Sequence, residues 1–455
     1  MLFIVMYLLS LALVGHVLLS RKPHTSLILW TCWLLLLPPL GILLYLTLGT
    51  DKIRKKGLYR FEKINHTRNP PPSADERPEL LSHLVEIPRN LLSTMTTPEL
   101  MWGGDPYYDR LVEDISQAET FIHIQTYVWR EDEEGVKVRD ALVEAAKRGV
   151  EVRVMTDEFG SMKTDRDFFD PLTEAGGVFS WYSTVQTRRS RFFFNLRNHR
   201  KVNIIDGKIA YVGGMNIGKE YAGRQIGPWT DLQMRFTGPV LLDLSDSFAE
   251  DWHFATGQRL DEDRFYPPPE GEASNPVVVI PSGPDELDPS YLKSFNLICN
   301  AAKKRLDLFT PYFVPNENLM ITIQTAAARG VRVRLMIPTL NEHMYMVDIG
   351  RAHYEPLLEA GVEIYELPGM VHHTKAFRVD DDLIFAGSHN LDVRSFNLNF
   401  ELSLCFQDAD TARAMDRVFD DLYANSDRID LESFKNRPLT TKLKQGFIRL
   451  FAPVL

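Results

Sequence analysis

At 455 residues the chain exceeds one ordinary core, so two or more domains are expected. Hydrophobic residues make up 44% and charged residues 25%, a globular balance that excludes a disordered protein. The formal net charge of −10 argues against a general nucleic-acid binder. The three cysteines, Cys32, Cys299 and Cys405, form no CxxC pair and suggest neither a zinc site nor a disulfide framework.

The N-terminus predicts a hydrophobic hairpin. Met1 to Ser20 and Thr25 to Thr50 carry no Asp, Glu, Lys or Arg. Each is long enough to cross a bilayer, which takes about 20 apolar residues. A cleaved signal peptide would need a basic start, and Met1-Leu2-Phe3-Ile4 has none. The turn offers Arg21 and Lys22, whereas the far side offers Lys52, Arg54, Lys55, Lys56 and Arg60. The heavier basic side is expected in the cytoplasm, together with the large C-terminal part.

Two proline clusters punctuate the rest, Asn69-Pro70-Pro71-Pro72 and Pro267-Pro268-Pro269. They predict an anchor with a basic juxtamembrane segment (1–60), a linker (61–100), and two halves (101–265 and 266–455). The halves repeat each other. Arg148-Gly149-Val150-Glu151-Val152-Arg153-Val154-Met155 recurs as Arg329-Gly330-Val331-Arg332-Val333-Arg334-Leu335-Met336. In each, an apolar strand (Phe121 to Trp129; Leu306 to Phe313) leads to a helix of alanine and charge (Val136 to Lys147; Leu319 to Ala328), then to this Val-rich strand. That order predicts an α/β fold of two halves, each a parallel or mixed sheet with helices on its faces.

A second repeat carries the chemistry. His199-Arg200-Lys201, Asp206 and Gly213-Gly214-Met215-Asn216 recur as His373-Thr374-Lys375, Asp380 and Gly387-Ser388-His389-Asn390. Each member follows its counterpart by 174 residues (373 − 199, 375 − 201, 380 − 206, 390 − 216). One HxK alone would mean nothing, but two full copies at matching places in two repeats are specific. Residues i and i+2 of a strand share a face, so each imidazole projects with its ammonium. If the halves meet, two such couples converge on one site suited to a phosphate diester. Lysines supply fixed positive charge, one histidine attacks phosphorus, and the other moves the proton of the leaving and entering alcohols. Asn216 and Asn390 add neutral donors, and no metal-ligand cluster or cofactor motif is visible.

Other residues admit two readings each. Asp206-Gly207 between Val202–Ile205 and Lys208–Val212 is a hairpin signal, so Asp206 and Asp380 are either turn residues or catalytic carboxylates. Glu220 and Glu401 are candidates to orient the histidines, or surface acids. Gly213, Gly214 and Ser388 mark a tight turn, a close approach of substrate, or both. His372 and His389 flank the second motif as candidate modulators, and His389 is equally a loop residue.

These residues resemble the HxKxxxxDxxxxxxG(G/S)xN signature of the phospholipase D superfamily. The resemblance implies two phospholipase D-like α/β halves sharing one active site, a phosphohistidine intermediate, and His199, Lys201, Asp206, His373, Lys375 and Asp380 as signature positions. It leans to His199 as nucleophile. Further segments are similar to bacterial cardiolipin synthases: Pro38-Pro39-Leu40-Gly41 through Leu48-Gly49, Thr310-Pro311-Tyr312-Phe313-Val314-Pro315, Asn390-Leu391-Asp392-Val393-Arg394-Ser395-Phe396 with Asn399 and Glu401, and the tail Arg449 to Leu455. Gln125-Thr126-Tyr127 departs from the family's more usual Glu-Tyr-Tyr. The implied reaction joins two phosphatidylglycerols into cardiolipin and glycerol. The implied partners are phosphatidylglycerol and an anionic bilayer, with no nucleic acid, and the implied location is the cell membrane. A hydrolase on the same scaffold, a phospholipase D or a nuclease, is the alternative, and a non-catalytic scaffold is a third. Arg188, Arg189, Arg191, Arg197 and Arg200 around Phe192-Phe193-Phe194 suit an anionic lipid surface, single-stranded nucleic acid, or a solvated loop with a buried Phe strand, and the mixed stretch Leu439 to Phe451 suits either membrane contact or docking on the domain.

Overall fold

The computed structural model describes residues 2–20, 24–49, 78–182, 196–269, 273–286, 289–341 and 344–449. Two units are distinguished, residues 1–61 with 184–194, and residues 62–183 with 195–455. The turn residues Arg21 to Pro23, the basic run Lys52 to Arg60, the Asn69–Pro72 cluster, Arg188 to Phe194 and the tail from Leu450 lie outside the described residues.

In the smaller unit the first apolar stretch forms one helix, Leu2–Leu18, of 17 residues. The second does not form one helix. It breaks at Leu37 into His24–Leu36 and Pro38–Leu44, followed by a wider turn over Tyr45–Gly49. Pro38 and Pro39 lack the N–H groups that would bond back into the preceding turn. Val17, Leu34, Ile42 and Tyr45 bury one another, and the Tyr45 hydroxyl lies 2.7 Å from His16 Nδ1. Outward, Ile4, Leu8, Leu11, Ile28, Leu29, Leu36 and Leu43 are exposed. Two uninterrupted spanning helices were the expectation. Among the described residues no helix is long and apolar enough to cross a membrane. Seventeen residues rise about 25 Å, against a hydrocarbon core of about 30 Å.

In the larger unit the sequence repeat becomes a repeat of sheets. The first sheet runs, neighbour by neighbour, through 99–102, 232–236, 209–213, 202–205, 121–126, 151–157 and 178–182. The second repeats this order with 275–282, 399–407, 383–387, 376–379, 305–309, 332–338 and 363–367, and adds 91–95 and 427–428 at its edges. The strands joined by the alanine-rich helices, 121–126 with 151–157 and 305–309 with 332–338, are parallel. Those helices, Glu133–Lys147 and Glu317–Ala328, begin earlier than the apolar pattern suggests. Asp132 accepts from the N–H of Glu134 and Gly135, and Asn316 from that of Leu319, which satisfies the first amides.

One buried apolar layer joins the repeats. It contains Met155, Val202, Met234, Phe248 and Trp252 from the first half and Val279, Phe309, Met336, Leu404 and Phe419 from the second. Residues expected as linker also contribute. Helix Glu79–Val85 buries Leu81 and Leu84 in the second half's own core, and strand 91–95 pairs with 275–279. Strand 99–102 then pairs with Leu232–Arg235 of the first sheet. The chain thus builds an edge of the second sheet before it enters the first.

Candidate active site

Each His-x-Lys triplet lies in a short gap between strands, after 197–198 and 371–372 and before 202–205 and 376–379. The gap keeps imidazole and ammonium on one side. Lys201 Nζ donates to the His199 carbonyl at 2.7 Å, and Lys375 Nζ donates to the His373 carbonyl at 2.5 Å. Each histidine is also fastened to the opposite repeat through its backbone. The N–H of His199 donates to the Phe400 carbonyl, and that of His373 to the Thr230 carbonyl, both at 2.8 Å.

The residues following those two carbonyls carry the carboxylates. Glu401 Oε2 stands 2.9 Å from His199 Nδ1, and Asp231 Oδ2 stands 2.7 Å from His373 Nδ1. The exchange is reciprocal, since the second half orients the first half's histidine and the first half orients the second's. Strand register explains it. Gly213 pairs with Gln233 and Gly387 with Ser403, so Asp231 and Glu401 occupy equivalent places, two residues earlier. Glu401 is held on all sides: Ser388 Oγ donates to Oε2, while Ser395 Oγ and Asn399 Nδ2 donate to Oε1 at 2.8 and 3.1 Å. Asp231 Oδ1 accepts the Leu232 N–H at 2.8 Å.

Burial lowers His199 to about 4, against the pull of Glu401, and lowers His373 to about 3. Both rings are therefore neutral at pH 7. With Nδ1–H given to Glu401, His199 leaves an Nε2 lone pair for chemistry, whereas Lys375 Nζ stands 2.8 Å from His373 Nδ1 and 3.1 Å from its Nε2. Burial also depresses Lys201 well below the ordinary lysine value, and Lys375 lowers it further. The Lys375 charge acts on His199, and the Lys201 charge acts on His373. The two couples thus share one electrostatic site. Glu401 is held below the ordinary carboxylate range by His199, His389 and Lys201, against its own desolvation. The Tyr127 ring meets His199 edge-on at 4.9 Å, while Trp229 lies 5.2 Å and Tyr312 6.2 Å from His373.

The remaining predicted residues divide. Gly213 and Gly214 are close-packed: a Cβ on Gly213 would meet the Leu232 carbonyl at 2.3 Å, and one on Gly214 would meet Asp231 Oδ1 at 2.3 Å. The Asn216 amide oxygen accepts from the Val128 N–H at 3.0 Å, and Asn390 is buried beside Ser395. His389 is a second layer, between the hydroxyls of Ser282 and Ser403 at 2.7 Å each. His372 is buried against Phe309, with ring centroids 5.3 Å apart.

Asp206 and Asp380 stand seven residues beyond the histidines, at the hairpin tips, with φ of 55° and 47°. Asp206 accepts from the N–H groups of Glu119, Thr120 and Phe121, and Asp380 from those of Lys303, Lys304 and Arg305. Their carboxylates fasten the turns to the entries of the central strands. Glu220 accepts from Arg130 Nε at 2.9 Å rather than from an imidazole. Sequence reasoning missed Asp231. From Asn390 to Glu401 is 11 residues and from Asn216 to Asp231 is 15, so the fixed offset of 174 overshoots the carboxylate. Alignment of the strands that follow each motif would have found it.

The family model described as "Cardiolipin synthase, PLD-like domain" matches residues 111–225 and 297–423, one block in each half. The chain is 32% identical to cardiolipin synthase 1 of Bacillus anthracis, over 96% of this chain and 90% of that protein. It is equally 32% identical to a cardiolipin synthase of Clostridium perfringens, over 96% and 95%. The fold is similar to that of phosphatidylserine synthase of Haemophilus influenzae, with a TM-score of 0.63 and 15% identity, over 83% of this chain and 98% of that one. With one matched block in each half, and relatives aligned almost end to end, the chain belongs to the cardiolipin synthase family of phospholipase D-like proteins.

Proposed function

We propose that the protein is a cardiolipin synthase that transfers the phosphatidyl group of one phosphatidylglycerol to the terminal hydroxyl of another. The observation that carries this reading is the reciprocal pairing of His199 with Glu401 and of His373 with Asp231, which yields two oriented, neutral imidazoles beside two buried lysines.

The chemistry divides into two displacements. The Nε2 lone pair of one histidine, His199 by family likeness, attacks phosphorus, and an N–P bond forms. The P–O bond to the head-group glycerol breaks, and the other imidazole, protonated as the lipid anion enters, gives its proton to the departing oxygen. The hydroxyl of the second phosphatidylglycerol then attacks phosphorus, its proton returns to that imidazole, and the N–P bond breaks. The sum is two phosphatidylglycerols to cardiolipin and glycerol. Lys201 and Lys375 offset the charge that builds on the phosphoryl oxygens. The Nδ2 groups of Asn216 and Asn390 donate to the same oxygens, and Gly213, Gly214 and Ser388 shape the backbone there. Asp206 and Asp380 act as positioning residues.

The apolar N-terminal unit, with its exposed leucines and isoleucines, supports attachment to the cell membrane as a helical hairpin. The excess of Lys and Arg after it supports a cytoplasmic catalytic body.

Purified protein given phosphatidylglycerol alone tests the reading. Cardiolipin and glycerol in equal amounts are expected. Phosphatidic acid as the main product would replace transfer by hydrolysis, and a strict need for a CDP-activated lipid would overturn the assignment.

A further inference from the structure

The last described helix, Leu439–Arg449, has a face that the reaction does not use. Leu439, Leu443 and Phe447 recur every four residues and are 70%, 64% and 63% exposed. On a helix that spacing draws one line about 12 Å long. The helix is fixed in place by its other face. Gln445 is buried and accepts from Arg437 Nε at 3.0 Å, Arg437 reaches Glu355 at 3.0 Å, and Lys444 reaches Asp348 at 2.6 Å. The apolar line therefore faces outward by the way the helix is docked. The neighbouring helix Met344–Arg351 adds Tyr345, itself 40% exposed.

Charge distinguishes this face from an ordinary apolar patch. From Lys435 to Arg449 the chain carries Lys435, Arg437, Lys442, Lys444 and Arg449 and no Asp or Glu, in a protein of net charge −10. Lys435, Arg437 and Lys444 answer Glu359, Glu355 and Asp348, and Lys442 and Arg449 stand beside the stripe; large apolar side chains with these cations alongside are complementary to the headgroup region of an anionic bilayer, with rings and leucines among the acyl chains and the two cations at the phosphates.

We propose that Leu439–Arg449 is an interfacial helix that lies on the anionic membrane surface through Leu439, Leu443 and Phe447. It gives the catalytic body a second attachment, remote in sequence from the N-terminal unit. A body held at two points keeps one orientation on the surface from which its substrates come. The docking stands on the exposed face alone; its effect on turnover rests on the phosphatidyl-transfer reading.

The test uses the full chain with Cys32→Ser, carrying an environment-sensitive fluorophore on Leu443→Cys and, separately, on the exposed Glu144→Cys of the first half. In phosphatidylglycerol vesicles the label at 443 is expected to shift to the blue, to be quenched by lipids bearing a nitroxide near the headgroup, and to resist iodide. The label at 144 should do none of these. Free access of iodide to position 443 would overturn the proposal. So would protection from iodide without quenching by nitroxide lipid, the signature of cover by protein, whether the residues after 449 or a second copy. In a second arm, Leu443→Gln with Phe447→Gln should slow cardiolipin formation on vesicles at least threefold, and change the rate on dispersed short-chain phosphatidylglycerol by less than twofold. Equal slowing on both would remove the docking role. If the unaltered protein makes no cardiolipin while the label at 443 is quenched, the transfer reading fails and the docking stands.

Discussion

His199 and Glu401, 202 residues apart in the chain, meet at 2.9 Å across the junction of the two halves. The contact fixes which nitrogen of the ring carries hydrogen, and hence which one faces the lipid.

Removing that acceptor without changing its shape is the most direct test. Glu401→Gln and Asp231→Asn should each lower cardiolipin formation by about 10²–10⁴-fold, the range of general acid–base assistance. His199→Ala and His373→Ala should abolish it. Thermal unfolding should remain cooperative in the two amide variants, and activity within tenfold of the unaltered protein for both would remove the orienting role.

The imidazoles predict a pH profile. Burial places them at about 4 and about 3, below the ordinary 6.5, so the free enzyme keeps its nucleophile unprotonated well into acid. The acid limb of kcat/KM should therefore centre nearer 4 than 6.5. Stability has the same sign. Between about pH 6.5 and 4 the unfolded chain binds protons that the folded chain refuses, so unfolding becomes easier as pH falls through that window. Melting temperature measured from pH 7.5 to 4.5 should fall, with less fall in a His373→Gln variant.

Asp206 and Asp380 should behave as parts of the scaffold. Each accepts three backbone N–H groups while its own backbone is left-handed. Replacement by Ala should cost about 2–4 kcal/mol, from lost charge-assisted bonds and from the positive φ. Asn tolerates that φ and keeps one acceptor oxygen, so Asp206→Asn should retain activity within about tenfold. Denaturant unfolding combined with turnover separates the two effects. A loss as deep as that of His199→Ala in a normally folded Asn variant would restore the catalytic reading.

The glycines after each motif make a steric prediction. Gly214→Ala would drive a methyl group into Asp231 Oδ1, and Gly387→Ala into Ser403 Oγ at 2.3 Å and the Leu402 carbonyl at 2.4 Å. Neither neighbour is a loose chain end, because Asp231 is held by His373 and Leu232. Both variants should lose at least 100-fold in rate, the scale expected when a catalytic group is misplaced by about 1 Å. Product analysis by thin-layer chromatography is sufficient to read it.

Residues whose chemistry repeats at fixed spacing were legible in the sequence. The two His–Lys couples, the hairpin at Asp206-Gly207 and the strand–helix–strand order all follow from local pattern. What depends on partners far along the chain was not. Leu91–Met95 carries no alternation that distinguishes a strand from a linker, and its pairing with 275–279 appears only in three dimensions. Glu220 and Glu401 are equal candidates in the sequence for a carboxylate that orients a histidine, yet Arg130 claims Glu220. Asp231 was hidden by four extra residues between motif and strand. Gln125, which departs from the family's usual residue, has a physical reason: its amide donates to Asn198 and Asp251 at 2.9 and 2.7 Å, where a second carboxylate would face Asp251 in a buried position.

The crossed carboxylates make the halves hostages to each other. A gene cut at Pro267–Pro269 would encode two fragments, each with an imidazole whose acceptor resides on the other. Neither fragment should turn over lipid alone, and activity should return only when both are produced together. For the same reason a mixture of chains, one defective at His199 and one at Glu401, should not rescue itself by simple association, because each intact chain still lacks a working couple. Drift in either repeat must be answered in the other, so duplication here has created dependence rather than redundancy.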